Sequence, residues 1–164
     1  MPESPIIYNS NEVLELSEND LSVLRELAEN SALRRSRICM HLSENDPVQE
    51  MVIGLCRDSY IRPHRHIGKS ESYHIIEGEL TVILFDESGQ VTKRIEMSAT
   101  DAHLNLIYRL SKEAWHMVIP QTEYVVFHEI TNGPFKQSDT EYASWAPHES
   151  ESDEIVLFLE DLSE

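Results

Sequence analysis

The sequence predicts an all-β domain with minor helices at its two ends. Three observations carry that expectation. Between residues 37 and 131, short runs rich in Val, Ile, Tyr and Thr recur at roughly 8–12-residue spacing, the pattern of an antiparallel sandwich or barrel. Glu77-Gly78-Glu79 and Asp86-Glu87-Ser88-Gly89 read as tight turns joining three of those runs. Helical periodicity is confined to two short stretches outside that region.

The N-terminal segment, about residues 10–30, is read as helical, with its helix over 17–29. Ser17 and Asp20 stand at capping-box spacing, and Leu21, Leu24, Leu27 and Ala28 fall on one face. Strands are expected near 37–42, 48–56, 59–66, 72–77, 80–86, 90–97, 104–110, 115–119 and 123–131. Asn132-Gly133-Pro134 closes the strand region. An irregular acidic segment, 132–164, follows; it ends in a short helix over Glu154–Leu162 that would bury Ile155, Leu157, Phe158 and Leu159. With 164 residues, no internal repeat and no low-complexity linker, the chain 1–164 reads as one domain with its barrel at about 37–131.

Thirty acidic residues against thirteen basic ones leave a formal net charge of −17. The acid is concentrated at the ends. Residues 1–30 carry seven acids and one base, and residues 139–164 carry nine acids and none, so the body nets only −2. This balance repels phosphate backbones and anionic lipid, so neither nucleic acid nor membrane is an expected partner. No apolar run approaches the roughly 20 residues of a membrane span. The N-terminus lacks the basic-then-apolar order of a secretory signal, and Cys39 and Cys56 form no C-x-x-C pair, so a cytoplasmic location is expected. Arg34, Arg35 and Arg37 form the only basic cluster, read here as a complement to the C-terminal end of the preceding helix.

Chemistry concentrates in residues 59–66, Ser-Tyr-Ile-Arg-Pro-His-Arg-His. On a strand, Tyr60, Arg62, His64 and His66 would share one face. Imidazoles at i and i+2 lie about 6.6–7 Å apart along the backbone and can converge on one ion. Glu71 follows after a turn at Gly68, and His116 supplies a third imidazole much later in the chain. Three His and one Glu suit one divalent first-row metal per chain, such as Mn, Fe, Co, Ni or Zn, with positions left open for ligand. Tyr60 is the candidate catalytic acid–base residue. Arg62 is either a fork for a ligand carboxylate or phosphate, or the partner of an inward carboxylate such as Glu50. His41, His74, His103, His128 and His148 lack comparable support and are expected at packed or surface positions, with Trp115 and Trp145 as packing residues.

His64-x-His66-x4-Glu71-x6-Gly78 resembles the first cupin motif, and His116 stands where the second has its histidine. With the run Tyr60–Asp86, Asn132-Gly133-Pro134 and Trp145-Ala146-Pro147, the chain looks like the WbuC family of small cupin-fold metalloproteins over roughly residues 17–150. The resemblance implies a double-stranded β-helix, or jelly-roll, barrel with His64, His66, Glu71 and His116 as metal ligands in its mouth. The sequence departs from the motifs at Asp58, where the first has Gly, and at Ser111, Glu113 and Pro120, where the second has Pro, Gly and Asn. The departures at Asp58, Ser111 and Glu113 concern turn-shaping residues rather than ligands.

Two functions remain open at this level. One is a metal-dependent isomerase, lyase or dioxygenase acting on a small sugar-acid-like or keto-acid-like metabolite chelated by the metal. The other is a non-catalytic protein that captures a small carbohydrate-like ligand through the same metal. Edge strands of a jelly roll need cover, so a homodimer is expected.

Overall fold

The computed structural model describes residues 4–162; the outermost residues of the predicted domain, 1–3 and 163–164, lie outside the described residues. In chain order the elements are β1 (Ile6–Tyr8), α1 (Glu18–Glu29), β2 (Arg35–Cys39), β3 (Val48–Cys56), β4 (His64–His66), β5 (Glu71–Glu77), β6 (Glu79–Phe85) and β7 (Val91–Ser98). They continue with β8 (Ile107–Leu110), β9 (Trp115–Pro120), β10 (Tyr124–Asn132), a 3-10 turn (Gln137–Asp139), β11 (Thr140–Tyr142) and α2 (Ser152–Asp161).

Two sheets face each other. One has the order β1-β2-β3-β10-β5-β8 and the other β11-β4-β9-β6-β7. Strands β3 to β10 therefore divide into β3-β10-β5-β8 and β4-β9-β6-β7, switching sheets at every step except the β6–β7 hairpin, the double Greek key of a jelly roll. The fold is the expected all-β jelly-roll barrel with minor terminal helices. Its interior is filled by Leu55, Tyr73, Ile75, Leu80, Val82, Met97, Val118, Val125 and Phe127, side chains at alternate positions on facing strands.

The helices cover the outside. The Ser17 amide donates to the Asp20 carboxylate at 2.7 Å, closing the predicted capping box. Leu24 and Ala28 are fully buried against Ile38, Val52 and Val126 on the outer face of the larger sheet. At the other end, Ile155, Phe158 and Leu159 pack on Ile83, Phe85, Met117 and Trp115 of the smaller sheet. Leu157 is 65% exposed, not buried as expected, because the helical turn places it on the face opposite that packed side.

Most strands fall within a residue or two of their expected positions, and β3 agrees at both ends. Two short strands went unpredicted: β1, which pairs in parallel with β2, and β11, which pairs with β4. Three residues each offer no periodicity to detect. The expected strand 59–66 shrinks to β4, residues 64–66. Ser59 closes a turn by donating its amide to the Cys56 carbonyl, Pro63 has no amide to donate, and the Tyr60 carbonyl is taken by Arg35 at 2.9 Å. The basic cluster splits three ways. Arg34, at φ 56°, donates to the Glu29 carbonyl at the end of α1 and to Asp58, so the expected helix-end complement holds for that residue. Arg35 bonds Tyr60 and Glu149, and Arg37 lies opposite Ile53, on the barrel side of β2.

Candidate metal centre

Strand β9 brings the two halves of the site together. His116 pairs with His64 on one side and with Leu84 on the other, at an inward position of the barrel wall. The ring centroids are 4.5 Å apart for His64 and His116, 5.0 Å for His64 and His66, and 5.7 Å for His66 and His116. One ring nitrogen from each lies within 4.8 Å of the other two, so this three-histidine group can hold a metal ion.

The other ring nitrogens are anchored. Nδ1 of His64 is 2.9 Å from the Arg62 carbonyl oxygen, and Nδ1 of His116 is 2.9 Å from that of Ala114. A carbonyl only accepts, so both Nδ1 atoms carry a proton, and in the neutral ring Nε2 keeps the lone pair that a metal would take. Nδ1 of His66 meets the Thr140 hydroxyl at 3.1 Å, a partner supplied by β11. This is the outer support that fixes ring orientation in metal-binding histidines.

Glu71 begins β5 on the facing sheet and is 2% exposed. Its Oε1 lies 3.0 Å from His116 Nε2 and its Oε2 lies 3.7 Å from His66 Nε2. Neither oxygen, nor His116 Nε2, makes an aligned hydrogen bond, although all three atoms are buried. Buried polar atoms left in this state are costly unless something else satisfies them. A cation between them would do so, and the mixed nitrogen and oxygen donor set suits a first-row divalent ion.

The electrostatics follow from this packing. Burial, with His116 and His66 alongside, pushes His64 down to about 3. Burial also lowers His66. Burial pulls His116 down as well, but the adjacent Glu71 carboxylate outweighs it and holds the ring above its ordinary value. Burial works to raise Glu71, yet the three imidazoles together keep it low.

Two expected members of the site are elsewhere. Tyr60 does not share the histidine face, because residues 59–63 are not strand. Its ring packs edge-on to Phe158 beneath α2, and its hydroxyl donates to the Pro147 carbonyl at 2.9 Å. Burial raises that hydroxyl well above its ordinary value, so it is a poor acid–base group there. Arg62 donates through Nε and Nη2 to the Ala143 carbonyl, at 3.0 and 2.6 Å. Glu50, considered as its partner, lies instead 3.7 Å from His128.

Three residues of the centre's surroundings were not expected. Thr140 supports His66, and Tyr142 lies opposite His64 on β11 with ring centroids 6.1 Å apart. Glu129 stands on β10 opposite Met51 and Tyr73. Burial, reinforced by Glu71, pushes its carboxyl up to about 8. The signal for Glu129 was available in β10: Val125 and Phe127 face the barrel interior, so the acid two residues on does too.

Comparisons with known proteins agree with the architecture. The protein SO0799 from Shewanella oneidensis superposes with a TM-score of 0.55 at 12% identity, covering 65% of this chain and 72% of that one. A cupin superfamily protein, DSY2733 from Desulfitobacterium hafniense, matches with a TM-score of 0.48 at 16% identity, over 66% of this chain and 86% of that one. A recombinant oxalate oxidase in complex with glycolate gives 0.47 at 12% identity, over 58% of this chain and 46% of that one, so the match spans less than half of that enzyme chain. At these identities the likeness concerns the fold alone. No curated protein matches the sequence. Residues 16–97, half of the chain, match the family described as Domain of unknown function (DUF6016), and the chain belongs to that family.

Proposed function

We propose that this protein binds one divalent first-row transition metal through His64, His66, His116 and Glu71, and uses it to hold a small oxygen-rich acid. The observation that carries this reading is the converging set of ring nitrogens, anchored from behind at Nδ1, facing buried Glu71 oxygens that make no aligned hydrogen bond. The motif residues from His64 to Gly78 support a kinship with the WbuC cupins.

A metal with open positions polarises a chelating pair of oxygens, such as those of a hydroxy or keto acid. The chain's own residues would then orient the chelate, and Glu129 is the carboxyl that borders the site in place of Tyr60. An isomerase, lyase or dioxygenase acting on a sugar-acid-like or keto-acid-like metabolite fits this arrangement. Metal-dependent capture without chemistry is the second reading. It is favoured by the commitment of the Tyr60 hydroxyl to Pro147, which leaves the mouth without the acid–base residue expected there.

Metal analysis of the purified protein tests the common core of both readings. Wild type is expected to hold a first-row metal at near one per chain. The His64→Ala, His66→Ala double variant is expected to lose it while keeping its circular dichroism spectrum, since the barrel core lies elsewhere. Stoichiometric metal in that folded variant would overturn the assignment. Turnover of hydroxy and keto acids by the metal-loaded protein, followed by NMR, separates enzyme from binder.

A further inference from the structure

We infer that Arg37 is the anion fork of this site, so that the ligand is a di-acid: one end chelates the metal and a second carboxylate pairs with Arg37. The inference rests on the metal-chelate reading above and adds the ligand's second point of attachment.

Arg37 is singular among the arginines of the described residues. Arg25, Arg34, Arg35, Arg57 and Arg65 pair with carboxylates; Arg62 and Arg94 donate to carbonyls; Arg109 donates to three serine hydroxyls. Among the described residues the Arg37 side chain has neither a hydrogen bond nor an ion pair, and its Nε is buried without a partner. A guanidinium offers five donors in a rigid plane and stays charged; here the buried Nε–H is left unpaired at a cost, while the half-buried side chain keeps its other donors open to a ligand.

Its position gives that cost a purpose. Arg37 is opposite Ile53, which is opposite Phe127, both packed in the barrel interior, while neighbouring Ser36 and Ile38 point the other way towards α1. Arg37 is therefore an inward residue, two strands from β10. Glu129 is opposite Met51, which is opposite Cys39, so it stands one inward position along the sheet from the level of Arg37. Arg37 and Glu129 nonetheless form no ion pair. Glu129 is also opposite Tyr73, two residues from Glu71, so Arg37, Glu129 and Glu71 fall on one diagonal across the inner face of the larger sheet. Arg37 and Glu71 are three strand spacings apart across the sheet, on the order of 14 Å, and four residues apart along it, on the order of 13 Å, before their side chains reach inward. One carboxylate cannot serve both ends of such a span, so a second acid group is required. Planar pairing of guanidinium with carboxylate supplies the recognition.

Malate and lactate share the same α-hydroxy-acid head and differ in the second carboxylate, which makes them the probes. Calorimetry on metal-loaded wild type is expected to show malate binding about ten- to a hundred-fold more tightly than lactate, the range of one charge-assisted contact. Arg37→Gln is expected to abolish that advantage while leaving lactate affinity and metal content unchanged. Arg37→Lys, which keeps the charge without the fork, is expected to retain part of it and serves as a second variant should Arg37→Gln fold poorly. Equal binding of malate and lactate by wild type would overturn the assignment while leaving metal chelation standing. The same holds if the malate advantage survives in Arg37→Gln but disappears in Arg62→Gln. Failure of both acids to bind metal-loaded wild type would instead remove the chelate reading, and this inference with it.

Discussion

The two sheets contribute differently to the centre. The smaller sheet supplies three imidazoles, each held at Nδ1 by a group on that sheet or its flank: the Arg62 and Ala114 carbonyls and the Thr140 hydroxyl. The larger sheet supplies the Glu71 carboxylate, the Glu129 carboxyl that burial keeps protonated up to about 8, and Arg37, and no aligned hydrogen bond holds the Glu71 oxygens or the Arg37 Nε. One wall is thus preorganised around its imidazoles, and the other carries a carboxylate and a guanidinium Nε that no aligned hydrogen bond satisfies. The difference teaches where binding energy is available: orientation is already settled on the imidazole wall, whereas the opposite wall awaits counter-charge.

The comparison breaks most completely at His116, which pairs within the smaller sheet yet lies 3.0 Å from Glu71 of the larger one. His116→Ala is expected to abolish stoichiometric metal binding, read by metal analysis after dialysis. Retention of one metal per chain would mean that the two walls do not share an ion.

A milder change sharpens the claim of preorganisation. Thr140→Val keeps the shape of β11 but removes the hydroxyl beside His66 Nδ1, and is expected to weaken metal affinity about ten- to a hundred-fold. Competition with a chelator measures it, and unchanged affinity would show that the outer support of His66 is dispensable.

The third test concerns the connection between walls. Gly78 joins β5 of the larger sheet to β6 of the smaller at φ 77°, and an added Cβ would lie 2.4 Å from the Tyr124 carbonyl oxygen. Gly78→Ala is expected to destabilise the fold by about 1–3 kcal/mol in denaturant titration. A neutral result would mean that the turn can relax without moving the sheets.

The smallest effects are pH slopes of the metal-free protein, and the two walls predict opposite signs. Burial holds folded His64 at about 3 against an ordinary value of 6.5. The unfolded chain therefore binds the extra proton between those values, and this residue's contribution to stability is lost as pH falls below 6.5. Glu129, held up at about 8 from an ordinary 4.5, favours the folded state below 4.5 and loses that contribution as pH rises through 8. Thermal melts across that range test both: His64→Asn should flatten the acid slope and Glu129→Gln the alkaline one.

Much of this was legible from residue order. The spacing from His64 to Gly78 places two imidazoles, a carboxylate and an inter-sheet turn by local geometry alone: period-two alternation and the freedom of glycine at positive φ. Even His116, whose preceding turn departs from the familiar motif, reaches its place, because strand pairing with Leu84 on one side and His64 on the other positions it and the turn residues do not. The helices were equally legible, since capping and one-sided apolar spacing are local signals.

By itself, then, the sequence determined the strand succession, the donor types and the sheet-to-sheet turn. Tertiary structure alone decided which neighbours of those donors face the centre. Tyr60 and Arg62 share the parity of His64, but parity governs direction only while the chain remains in a strand, and Pro63 together with the bonds made by Arg35 and Ala143 ends the strand before it reaches them. Glu129, Thr140 and Arg37 come from strands far from the motif in sequence. They meet the histidines only because pairing across the two sheets, driven by burial of the shared apolar interior, brings β10, β11 and β2 to the same barrel.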